Sequence, residues 1–125
     1  MPIRSPATAP RQVLLFSGHM VDTPGRPVAR FPMSLVPAAQ RAIDDMLDEL
    51  GAGASDLAIA QAAAGGDLLF LEACLRRGVA LQVMLPMPPQ AFVDHSVRPS
   101  ADGPAWADRF DRLVDGLARP PLLLP

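Results

Sequence analysis

The sequence contains no lysine, asparagine or tyrosine, and it has a single cysteine and a single tryptophan. The eleven basic residues are therefore all arginines, and thirteen acidic residues outnumber them to give a formal net charge of −2. Because the arginines are scattered rather than bunched, the chain lacks the basic footprint of a nucleic-acid-binding protein. We attribute the all-arginine composition mainly to a GC-rich coding sequence, and we expect a bacterial protein.

A lone cysteine excludes an internal disulfide, and no apolar run approaches the roughly 20 residues that span a bilayer. Cys74 lies in segment 71–75, Leu-Glu-Ala-Cys-Leu, which predicts a small core residue on a buried helix face. The N-terminus has no apolar core followed by a cleavage site, so no secretory signal is predicted. We therefore expect a cytoplasmic protein without a membrane partner.

Half of the 125 residues are hydrophobic and 19% are charged, which predicts one globular domain with a single core. The proline-containing segment 1–11 is predicted to be a flexible tail, and residues 12–119 are predicted to form the domain. Residues 120–125 are apolar but rich in proline, and we expect this tail to cover a groove or to contact another subunit.

Short apolar runs alternate along the chain with helical patterns, which is typical of an α/β domain. The first run, Val13–Phe16, lacks polar alternation, so we expect a strand that is covered on both faces in a parallel sheet. Ser34 and Gly51 are the predicted N-terminal cap and stop of the first helix. The fold class is therefore a small Rossmann-like three-layer domain with a mostly parallel sheet. The predicted strands are 13–16, 57–60 and 79–85, the predicted helices are 34–50, 67–78 and 102–117, and 86–103 is a predicted loop.

In an open parallel sheet, ligands bind beyond the carboxyl ends of the strands, so we expect loops 17–20, 61–67 and 86–88 to face one another. Gly65 and Gly66 lie between a strand and a helix, where glycine permits close backbone approach and the first helical amides attract an anion. A packing role for these glycines is the alternative. Asp67 follows directly, and it is either the cap of this helix or a ligand contact.

Several other polar residues are weaker candidates. His19 follows the first strand, where it could bind phosphate or transfer a proton, or could be a structural histidine. Arg26 and Arg30 are anion clamps or solvated loop charges. His95 has Asp94 and Ser96 as sequence neighbours, which does not indicate a catalytic triad. We predict no metal site and no cofactor, because no set of metal ligands is visible.

These motifs together resemble the SLOG superfamily of Rossmann-like proteins, which includes the Lonely Guy phosphoribohydrolases, the YpsA-like proteins and the nucleotide-binding fold of DprA. Residues 17–19, Ser-Gly-His, match the Ser/Thr-Gly-His-Arg signature of YpsA-like members, with Met20 in place of the arginine. Asp67 and Glu72 match the spacing of the second signature, after the glycine pair. The Gly-Thr of the Lonely Guy signature is replaced here by Leu68-Leu69.

The resemblance implies a nucleotide-derived ligand and a set of residues that contact it. We hypothesise a nucleotide- or phosphorylated-ligand-binding, sensor-like module. One alternative is an N-glycosidic nucleotide hydrolase in which His19 and Glu72 are catalytic; another is an assembly domain with a vestigial site. A homodimer or higher homo-oligomer is expected. The implied ligand-binding residues are Ser17, Gly18, His19, Gly65, Gly66, Asp67 and Glu72.

Overall fold

A computed structural model describes residues 9–125 of the chain. Four strands form one parallel sheet in the order β1-β2-β3-β4, in which Val13 lies opposite Leu57, Leu57 opposite Ala80, and Met84 opposite Leu122. This architecture confirms the predicted α/β class with its parallel sheet, and it is consistent with a small Rossmann-like three-layer domain. The elements are β1 (Val13–Leu15), α1 (Val36–Leu50), β2 (Leu57–Ala60), α2 (Gly66–Arg76), β3 (Ala80–Leu85), α3 (Pro89–Ser96), α4 (Gly103–Asp115) and β4 (Leu122–Leu123).

The first helix begins later than its predicted cap. Ser34 lies inside a short 3-10 helix, Met33–Leu35, and Leu35 is the residue that precedes α1. Pro37 in the first turn of α1 has no amide hydrogen to satisfy, so it tolerates this uncapped start. The predicted stop is confirmed: Gly51 adopts φ 61°, a left-handed conformation that ends the helix, and its amide donates to Asp48 O.

Helix α2 is the most enclosed element of the fold. Leu68, Phe70 and Leu71 are each at most 1% exposed, and α2 packs against α1, β2, β3 and α4. Cys74 is fully buried on this helix, as predicted, and burial raises the pKa of its thiol to about 11 although the Arg77 charge opposes the shift. The cysteine is therefore an inert core residue.

Two segments predicted to be irregular belong to the packed domain. Helix α3 forms within the predicted loop 86–103, because Pro89 fits the first helical turn while Phe92 and Val93 are buried. The C-terminal tail supplies β4, and Leu124 N–H donates to Leu85 O at 2.8 Å. Within the predicted tail 120–125, Leu122 and Leu123 therefore extend the sheet.

Part of the predicted N-terminal tail, residues 1–8, lies outside the described residues. The rest of it is anchored: Arg11 donates to Gly51 O at 3.0 Å and to the buried Asp56 carboxylate at 3.1 Å. Arg11 thus joins the chain start to the end of α1.

The two faces of the sheet differ in burial. Leu14, Ala58, Val83 and Leu85 are buried against the helices. Their neighbours along the strands point to the opposite face, where Val13 is 53% and Leu15 is 79% exposed. The expectation that β1 is covered on both faces is therefore wrong for the described residues. Within residues 9–125, no helix combines the length and the hydrophobicity that crossing a bilayer requires.

Candidate functional site

A crevice of about 550 Å³ lies at the carboxyl ends of the strands. The loop after β1 contributes Ser17 and Gly18, the end of β2 contributes Ile59 and Gln61, and Asp67 comes from the first turn of α2. The position agrees with the rule that parallel sheets bind ligands beyond the carboxyl ends of their strands. The crevice combines apolar walls with a few convergent polar groups, which is the usual composition of a small-molecule site.

The first two predicted loops meet at this crevice. Met20 and Gly65 form an isolated antiparallel bridge, in which Val21 N–H donates to Ala64 O at 2.8 Å and Gly66 N–H donates to His19 O at 3.1 Å. These main-chain hydrogen bonds hold the β1 loop against the start of α2. The expectation that the two loops face one another is therefore met.

The glycine pair is required by this close approach. A Cβ on Gly65 would lie 2.8 Å from Val21 N and 2.9 Å from His19 O, and Gly65 has φ +114°, which side chains rarely adopt. A Cβ on Gly66 would lie 3.2 Å from Gly18 Cα, and one on Gly18 would lie 2.6 Å from the Phe16 ring. The glycines thus serve backbone packing between the two loops, the alternative left open above.

Asp67 forms the polar floor of the crevice. Its side chain accepts hydrogen bonds from Gly18 N–H at 3.0 Å and from Ala63 N–H at 3.4 Å, and the residue is only 6% exposed. Gly65, not Asp67, is the N-terminal cap residue of α2. Burial raises the pKa of the Asp67 carboxyl above its ordinary value, and the two amide hydrogen bonds partly offset this effect.

His19 lies away from the crevice. It lines a second, mainly apolar depression of about 490 Å³ between the β1 loop and α1, together with Gly18, Gly66 and Arg30. The structure thus divides the predicted ligand residues: Ser17 and Asp67 line the crevice, His19 and Gly66 line the depression, and Gly18 lies between the two and lines both.

Glu72 lines neither cavity. Its two carboxylate oxygens accept from the guanidinium of Arg109 on α4, one of them at 3.0 Å from Nε, and this guanidinium also lies 4.3 Å from the centre of the Trp106 ring. The geometry therefore gives Glu72 a packing role between α2 and α4. His19 and Glu72 are not brought together as an acid–base pair.

Arg26 remains within its own loop. Its Nε donates to Val28 O at 2.7 Å and lies 3.8 Å from the Asp22 carboxylate. Asp22 also accepts from the amides of Arg30 and Phe31, which closes the loop on itself. These contacts fit a structural loop better than an anion clamp.

The third wall of the crevice was missed by sequence reasoning. Met84 from β3, His95 and Ser96 from α3, and Leu124 from the C-terminal segment line the crevice, and residues 86–88 do not. Ser96 O accepts from Ala64 N–H at 3.1 Å, and His95 Nδ1 lies 3.1 Å from the Ser96 hydroxyl. The sequence feature that could have predicted α3, and with it this wall, is Pro89, because a proline shortly before an apolar pair is typical of a helix start.

Within residues 9–125, no three potential metal-ligating side chains cluster together. Comparisons of the chain with protein-family models, with curated proteins and with solved structures found no match. The resemblance to the SLOG superfamily therefore stays a prediction from the motifs, and the site has to be interpreted from its own chemistry.

Proposed function

We propose that this chain is a small-molecule-binding module whose crevice receives a nucleotide-derived or other phosphorylated ligand. The observation that supports it is the crevice at the carboxyl ends of β1 and β2, where the apolar side chains of Ile59 and Met84 adjoin the polar groups of Ser17, Gln61 and Asp67. Its volume of about 550 Å³ is within the usual range for sites that bind small ligands.

The polar groups suit the sugar and base of such a ligand. Gln61 offers both a donor and an acceptor, Ser17 offers a hydroxyl, and the Asp67 carboxylate accepts only. The half-buried Met84 and Phe16 provide apolar surface for a planar base. Binding needs only such donors, acceptors and shape, whereas turnover needs a placed acid–base pair.

Binding is tested by titrating the protein with nucleosides and nucleotides in a calorimeter, using wild type and the Gln61→Ala variant. Loss of a neutral hydrogen bond is worth about 0.5–1.5 kcal/mol, so affinity should fall about two- to tenfold. Gln90→Ala is the matched control, because Gln90 is exposed on α3 and bonds only Asp94. Absence of binding by every nucleoside and nucleotide would refute a nucleotide-derived ligand, and absence of binding by sugar phosphates as well would refute the proposal.

The hydrolase alternative has less support, because Glu72 is engaged by Arg109 and neither Glu72 nor His19 lines the crevice. Incubation of the protein with nucleoside monophosphates, followed by chromatography for free base, separates the two functions. We expect binding without base release. Release that is abolished by Glu72→Gln would instead favour the hydrolase.

An assembly role is the second candidate, and the open face of the sheet favours it. The outward residues of β1 to β3 include no charged side chain, so two copies could pack these faces together without opposing like charges. Among residues 9–125, Leu15 is the most exposed large apolar side chain, at 79%. We expect Leu15→Gln to lower the mass measured by light scattering and to make the unfolding midpoint independent of protein concentration. A monomeric wild type would contradict this role.

The C-terminal segment gives a second test of assembly. Truncation after Arg119 removes β4 together with three leucines that are each more than a third exposed. An unchanged mass in the truncated protein would argue against a role of this segment in assembly.

A further inference from the structure

The start of α2 lacks most of the unpaired amide hydrogens by which a helix N-terminus attracts an anion. Such sites depend on unpaired amide hydrogens in the first turn. Here Gly66 N–H donates to His19 O at 3.1 Å, and Leu68 N–H donates to Ala63 O at 3.3 Å. Main-chain oxygens of the protein thus occupy the positions that phosphate oxygens would otherwise take.

A carboxylate of the protein occupies the neighbouring position. Asp67 is 6% exposed, and its two oxygens accept from the amides of Gly18 and Ala63, one from each loop of the crevice. Arginine does not contribute there, since none of the ion pairs among the described residues includes Asp67. The amide dipoles and the helix start therefore offset part of the cost of burying this negative charge.

We propose that Asp67 is a specificity-determining residue: it serves as a built-in anion at the floor of the crevice, so that the uncharged end of the ligand enters first. This inference rests on the proposed function, that the crevice binds a nucleotide-derived ligand. A phosphate at the floor would meet the Asp67 carboxylate, whereas sugar hydroxyls or a base amine would donate hydrogen bonds to it. A phosphate group on such a ligand points outward, toward the rim where His95 is exposed.

The first experiment uses the wild-type protein and follows amide signals by NMR. Inorganic phosphate, added to tens of millimolar against sodium chloride of equal ionic strength, should leave the Gly18, Ala63 and Gly66 signals unshifted. A nucleoside should shift the Gly18 and Ala63 signals saturably. Saturable shifts of these two amides by phosphate alone would overturn the inference. Failure of every nucleoside and nucleotide to bind would instead refute a nucleotide-derived ligand, so the two failures are distinguishable.

The second experiment removes the built-in anion. In Asp67→Ser the amides of Gly18 and Ala63 lose the two carboxylate oxygens that accept from them, and an added anion can replace the carboxylate. We expect acetate or phosphate to raise the melting temperature of this variant by several degrees more than chloride of equal ionic strength. Asp45→Ser, at an exposed position on α1, is the matched control: it should show only the general stabilisation by kosmotropic anions, and the rise in Asp67→Ser is counted as its excess over this control.

A folded Asp67→Ser variant that shows no preference for acetate or phosphate over chloride would overturn the inference. If the variant folds only when acetate or phosphate is present, that requirement is itself the expected rescue. If it does not fold in any salt, the phosphate titration of the wild type decides the question.

Discussion

Replacing Gly65 by alanine should destabilise the protein more than any other glycine substitution in its loops. The φ of +114° costs a side chain about 1–3 kcal/mol. The new Cβ would also lie within 3 Å of Val21 N and His19 O, and overpacking of this kind costs about 1–3 kcal/mol more. We therefore expect a loss of about 4 kcal/mol. At an unfolding entropy of about 2.1 cal/mol/K per residue, this lowers the melting temperature by about 15 °C.

Substitutions at two further glycines distinguish the cost of a positive φ from the cost of a close contact. Gly78 has φ +75° and no described atom within 4 Å of an added Cβ, so Gly78→Ala should cost only about 1–2 kcal/mol. Gly53 has neither a positive φ nor such a neighbour, and Gly53→Ala should change stability by at most about 1 kcal/mol. Urea unfolding followed by fluorescence of the buried Trp106 measures all three variants. A Gly65→Ala variant as stable as Gly78→Ala would refute the inferred tight contact between the two loops.

The other predictions concern single side chains. Glu72→Gln should lower the free energy of unfolding by about 1 kcal/mol, because the ion pair with Arg109 is partly exposed. Ligand affinity, measured by calorimetry, should stay unchanged. A tenfold loss of affinity would contradict the packing role of Glu72. Carbon-detected NMR should find the pKa of the Asp67 carboxyl above its ordinary value of 3.8. The folded state then binds the proton more tightly than the unfolded state does. The free energy of unfolding of wild type, relative to that of Asp67→Asn, should therefore be greatest below the ordinary pKa and should decline as pH rises through the pKa of the folded state. A relative stability that increases with pH would exclude burial as the dominant cause of the pKa shift. Cys74, with its pKa raised from 9.0 to about 11, should react with a disulfide reagent at least about 100-fold more slowly in the native protein than in denaturant, and similar rates would show that the thiol is accessible.

The parts of the fold that were predicted correctly depend on local signals. Apolar runs bounded by glycine or proline located β1, β2 and β3, and the stop of α1 at Gly51 follows from its left-handed conformation. Helix α3 was missed because its short apolar pair lies among prolines and polar residues, which resemble a loop until the helices beside it bury Phe92. Strand β4 is only two residues long, and its pairing with β3 is a long-range contact that no local pattern encodes.

In the candidate site, too, some residues could be located from the sequence and others could not. Ser17, Gly18 and Asp67 were located correctly at the carboxyl ends of the strands, because the parallel sheet dictates where those loops lie. His19 and Glu72 were grouped with them on motif spacing, yet spacing does not determine the direction in which a side chain points. One faces a different depression, and the other pairs with an arginine 37 residues later in the chain.

By itself, the sequence determined the alternation of strands and helices, the buried cysteine and the place where two glycine-containing loops would meet. These properties follow from residue size, hydrophobicity and backbone freedom, which act over a few neighbouring residues. Only the tertiary structure decided how the first-turn amides of α2 are used. Gly66 N–H donates to His19 O, and Asp67 accepts from Gly18 N–H, because packing brings residues 18–19 against residues 66–67. Hydrogen bonds between segments nearly 50 residues apart depend on that packing, and no local pattern specifies them.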